Sequence, residues 1–72
     1  MKALTDYKIK SIKNPHGMYI LSMAKRIEDE GNLYRLDNTY IYPKHKIKSI
    51  KEDSGKIILE MNDGQTVFEV ED

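Results

Sequence analysis

Gly17-Met-Tyr-Ile-Leu-Ser-Met-Ala-Lys-Arg-Ile-Glu-Asp-Glu-Gly-Asn32 decides whether this chain is mostly β or mixed α+β. As a helix over 18–30 it has Asn14 as a cap, Pro15 at the first helical position, a stripe of Ile20, Met23, Ala24 and Ile27, and Gly31 as a stop. As strands, Met18-Tyr-Ile-Leu-Ser-Met23 is aromatic and branched, Glu28-Asp-Glu-Gly-Asn32 is a polar hairpin tip, and Leu33-Tyr-Arg-Leu36 returns as the partner strand. The strand reading is preferred. Tyr19 and Ile20 are weak helix formers, and Gly17 falls inside the first turn a helix would need.

The flanks point the same way. Tyr7-Lys-Ile-Lys-Ser-Ile-Lys13 alternates apolar and basic residues, the period of a half-buried strand with Lys8 and Lys10 towards solvent. Asn14-Pro-His-Gly17 follows as a turn. Thr39-Tyr-Ile-Tyr42 has high β-propensity and ends at Pro43, which donates no ladder hydrogen bond. Lys44-His-Lys46 is a basic connector with the length of one tight helical turn. Residues 47–70 form a β-meander, broken by Asp53-Ser-Gly55 and Asn62-Asp-Gly64, the second being the stronger tight-turn signal. Ile57, Leu59 and Met61 share one face, as do Thr66, Phe68 and Val70, whereas Ile47 and Ile50 are out of phase and call for a bulge or a later strand start.

The expected fold is therefore mostly β: a five- to six-stranded antiparallel bent sheet or partly open barrel in a single small domain spanning 1–72. The alternative is α+β with a helix at 18–30. The run of an Ile-x-x-Ile strand, an apolar strand, an Asp-Gly turn and a final strand, about a third of the chain, resembles small barrels of the SH3-like and Sm-like kind. It is a generic likeness and implies no particular activity.

Size and composition narrow the function. A 72-residue chain has a marginal core, which small proteins supplement with disulfides, a structural metal or self-association. There is no cysteine and there are only two histidines, His16 and His45, so self-association is the remedy expected and a homo-oligomer is anticipated. The longest apolar run, Met18-Tyr-Ile-Leu21, is far short of the ~20 residues of a membrane span. The first residues lack the apolar core of a signal peptide. A cytoplasmic protein with no membrane partner is the expectation.

Charge is unevenly spread. Residues 1–51 carry nine lysines and two arginines against five acidic residues, a net +6, and residues 52–72 carry one lysine against seven acidic residues, a net −6. Either the basic part faces a phosphate-bearing partner, or acidic strands neutralise basic ones across the sheet.

No nucleophile-elbow, glycine-rich phosphate loop or paired-histidine motif is present, so the chain is read as a non-enzyme with no cofactor and no metal site. Glu28-Asp-Glu30 is read as a solvated hairpin tip. The stretch with a binding character is Tyr40-Ile-Tyr42-Pro-Lys44-His45-Lys46-Ile-Lys48, extended by Tyr34 and Arg35. Cations supply phosphate contacts and aromatic faces supply stacking platforms. The competing reading packs Tyr40 or Tyr42 in the core and leaves the lysines in water. Ten lysines to two arginines argue against a sequence-specific DNA reader, which favours arginine. The Lys/Ile/Asn-rich composition fits an A+T-rich genome, such as that of a low-G+C bacterium or its phage.

These features favour a small oligomeric binding module that takes up or sequesters a nucleotide messenger or nucleic acid, in the manner of a phage or mobile-element accessory protein. The alternative is a protein-binding module or inhibitor acting through an exposed strand edge and the tyrosines Tyr19, Tyr34, Tyr40 and Tyr42.

Overall fold

Residues 17–26 and 28–29 are strand, and no α-helix forms at 18–30. The computed structural model describes residues 3–71. Its strands are β1 (Lys8–Asn14), β2 (Gly17–Arg26), β3 (Glu28–Asp29), β4 (Leu33–Leu36), β5 (Tyr40–Pro43), β6 (Ile47–Asp53), β7 (Lys56–Met61) and β8 (Gly64–Glu71). Two 3-10 turns, Leu4–Asp6 and Lys44–Lys46, precede β1 and β6.

All pairing is antiparallel. One sheet has the order β2-β1-β8-β7-β6 and the other β3-β4-β5. The fold is mostly β and the sheets do not close. There are more strands than the sequence suggested because the 17–36 region divides differently. β2 pairs with β1, whereas Leu33–Leu36 pairs with the two-residue β3 and with β5. The partner expected for Leu33-Tyr-Arg-Leu36, the 18–23 strand, is taken by β1 through the short Asn14-Pro-His-Gly17 turn.

A shared core joins the sheets. Ile9, Ile12, Ile57, Leu59 and Phe68 from the large sheet meet Leu36 and Tyr42 from the small one, with Leu4, Tyr7 and Ile27 closing the ends. The period-two faces of the meander are realised: Ile57, Leu59, Thr66 and Phe68 are buried, and Ile47, Ile50, Met61 and Val70 are partly so. The phase change at Ile47/Ile50 is a register shift between Ile47 and Ser49. The Tyr7 hydroxyl donates to the Glu52 carboxylate, tying the N-terminal turn to β6.

The acidic end of the chain lies beside the basic start. Lys8 stands opposite Glu71, and Lys56 opposite Glu69. This arrangement places opposite charges where cross-strand pairs are favourable.

Candidate functional site: a tyrosine cleft

The two sheets meet where β5 passes the start of β2. Alternation along β5 turns Tyr40 and Tyr42 inward and leaves Ile41 46% exposed. Tyr19 on β2 comes to Tyr40 with ring centroids 5.2 Å apart and planes tilted by 50°. Tyr42 is only 6% exposed, and its ring stands edge-on to Phe68 at 5.4 Å.

Around these rings is a cleft of about 320 Å³ lined by Asn14, His16, Thr39, Asp63 and Thr66 as well as the tyrosines, at the lower end of small-molecule sites. Its floor is held by two turns in close contact. Gly64, at φ +138°, would bring a Cβ to 3.0 Å from the Pro15 ring, so any other residue would be strained in conformation and would have to push the ring aside. The Thr66 hydroxyl donates to Asn14 Oδ1 at 3.4 Å.

The Tyr42 hydroxyl is the unusual group. It is buried and has no hydrogen-bond partner among the described protein atoms. Burial, and then the neighbouring Tyr40 and Tyr19 phenols, push its ionisation well above the ordinary tyrosine range. It stays protonated at neutral pH, able both to donate and to accept. An orphaned buried hydroxyl costs about 1–3 kcal/mol, which a bound hydrogen-bonding group would restore.

The structure divides the residues singled out from sequence. Tyr40 and Tyr42 are in the cleft. Tyr34 and Lys44 are together elsewhere: the Lys44 ammonium lies 4.9 Å from the Tyr34 ring centroid and 2.8 Å from Asp29 Oδ1. This contact lowers the Asp29 carboxyl below its usual value and raises Lys44. Arg35 makes a two-contact pair with Glu30, and its ionisation is raised by that carboxylate. The 28–30 tip is thus cross-linked by the lysine and arginine that the sequence assigned to phosphate, and it is not merely solvated. His45 and Lys48 are exposed. Lys46 lines a second depression of about 370 Å³ with Ile41, Pro43, Met61, Asn62 and Asp63; it adjoins the cleft through the shared Ile41, Met61 and Asp63.

Sequence reading attached Tyr19 to protein docking and gave Asn14, His16, Asp63 and Thr66 only turn or strand roles. Three segments far apart in the chain supply these groups, and no spacing motif links them. Among the described residues, no three His, Asp or Glu side chains converge as a metal site would require. No helix there is long and apolar enough to cross a membrane. No protein-family model, curated protein or solved structure matches this chain.

Proposed function

We propose that the protein is a non-enzymatic binding module whose Tyr19/Tyr40/Tyr42 cleft takes the planar ring of a nucleotide or an unstacked nucleobase. The observation that carries this reading is Tyr42, whose hydroxyl is buried without a protein partner and which lines a cleft walled by two further tyrosines. Aromatic walls suit a flat heterocycle, whose edge carries the donors and acceptors an amphoteric phenol can meet. Asp63 accepts from an exocyclic amine or a ribose hydroxyl, and Lys46 in the adjoining depression is the cation for a phosphate. With Lys44 and Arg35 occupied by carboxylates, the phosphate contribution narrows to Lys46, so affinity comes chiefly from the ring. The module holds its ligand in the cytoplasm without turning it over, which suits sequestration of a nucleotide messenger.

Thermal shift with adenosine, guanosine, cytidine and uridine monophosphates, their cyclic forms, ribose 5-phosphate and a short oligo-dT tests this. At least one ring-bearing probe should stabilise the protein at moderate salt while ribose 5-phosphate does not. Tyr42→Phe and Tyr40→Ala should each weaken that binding by tenfold or more, on the order of a lost hydrogen bond or stacking contact. Lys46→Glu should weaken phosphate-bearing probes more than the corresponding nucleoside. Binding only at low salt, indifferent to Tyr42→Phe, would reduce the cleft to a bystander of a generic basic surface.

A further inference from the structure

β2 is an outer strand of the large sheet, so its far side carries backbone N–H and C=O groups without a ladder partner. Its residues 17–24 include no charge. Met18, Ile20 and Met23 are 60%, 79% and 72% exposed, and Tyr19 is 46% exposed. The other outer strand, β6, carries Lys48, Lys51, Glu52 and Asp53, and the edges of the small sheet are only two and four residues long. Charge and shortness are the ordinary protections of a sheet edge. β2 has instead an irregularity: the register passes from Ser11↔Ile20 to Ile9↔Lys25, so Lys10 alone faces residues 21–24. That bulge leaves residues 17–20 regular and open.

We propose that β2 is a homodimer interface, in which two copies pair β2 to β2, antiparallel about a two-fold axis, into one continuous sheet. Met18 and Ile20 alternate to the face opposite Tyr19 and, with Met23, leave an exposed apolar margin along this edge, of the kind that marks an interaction surface. The charges select the orientation. Lys25 and Arg26 close β2 at one end; antiparallel pairing sends the two basic ends apart, whereas parallel pairing would set them side by side. The assembly also closes, because it consumes both β2 edges and leaves the large sheets ending on the charged β6 edges. A second copy supplies an uncharged apolar strand of matching length by construction, and self-association is what a core of this size lacks. Tyr19 lines the cleft from β2, so the partner strand would run along the cleft's border.

Sedimentation equilibrium and single-cysteine cross-linking test the interface. The wild-type chain should run at twice its 8.4 kDa mass, and Ile20→Lys should run at the single mass with its strand-type circular dichroism retained. The chain has no cysteine of its own. Of Met18→Cys, Tyr19→Cys and Ile20→Cys, tested singly, the one nearest the two-fold should give a reducible dimer, because facing Cα atoms in an antiparallel pair are about 4.5–5.5 Å apart, within disulfide reach. Lys51→Cys on β6 should not cross-link. A wild-type chain at the single mass overturns the proposal, as does a dimer unmoved by Ile20→Lys or cross-linked at Lys51→Cys instead. Should Ile20→Lys fail to fold, the cross-linking pattern alone decides.

Discussion

Tyr42 shows how one side chain can hold opposing demands. Its ring fills the core against Phe68, and its hydroxyl is buried beside the cleft without a protein partner. Tyr42→Phe should therefore raise stability, by about 1 kcal/mol, or several degrees in melting temperature for a domain of this size, while weakening ligand binding. Such opposition is the expected mark of a functional group kept at a structural cost. A variant that loses both stability and binding would make Tyr42 simply a packing residue. The pH dependence has a definite sign. Burial holds the folded phenol protonated, so stability is independent of its titration below the unfolded value of about 10 and falls as pH rises from there, where only the unfolded chain ionises. Melting curves should fall above about pH 10, and Tyr42→Phe should flatten the fall. The adjacent Tyr40 was legible from sequence as half of an aromatic-basic stretch. Its stacking partner Tyr19 was not, because 21 positions separate them and only the crossing of β2 and β5 brings the rings together.

Among elements, the turns stand where the sequence places them. Asn62 and Asp63 form a two-residue loop closed by the Met61↔Gly64 pair, with its positive φ at Gly64. At the other turn of the meander Ser54 and Gly55 adopt φ of 49° and 79° between the paired Asp53 and Lys56, the combination that matches strand twist in a two-residue hairpin. Ser54→Asn should stabilise this hairpin by a few tenths of a kcal/mol, and Gly55→Ala should destabilise it by about 1 kcal/mol, since an L side chain is strained where glycine is not. Chemical denaturation of the two variants gives both signs. The β4–β5 turn follows the same logic with Asp37 and Asn38 at φ 55° and 59°, residue types that tolerate the left-handed region. In the decisive 17–32 stretch, β-propensity named the element, but its partner was misassigned. Alternation states which residues share a face and is silent on which strand lies alongside. The acidic 28–30 stretch stands at a hairpin end, while its pairing with Arg35 on β4 and with Lys44 in the turn after β5 is a tertiary outcome.

For the whole molecule, stability and assembly are linked. If β2 joins two copies, the melting temperature should rise with protein concentration, because dimerisation stabilises the folded state by mass action; Ile20→Lys should abolish that dependence. Differential scanning calorimetry over a concentration series measures both, and a concentration-independent wild type would separate stability from assembly. By itself the sequence determined what is local: a mostly β chain, the positions of its turns, the inward faces of the meander and the break in phase between Ile47 and Ile50. Propensity and period-two alternation act over a few residues and are written directly in the string. Only the tertiary structure decided the order of the strands, the neutralisation of Lys44 and Arg35, the assembly of the cleft from three distant segments, and the exposure of β2. Those outcomes depend on which surfaces meet when the sheets bend over a common core, and no local pattern encodes that meeting.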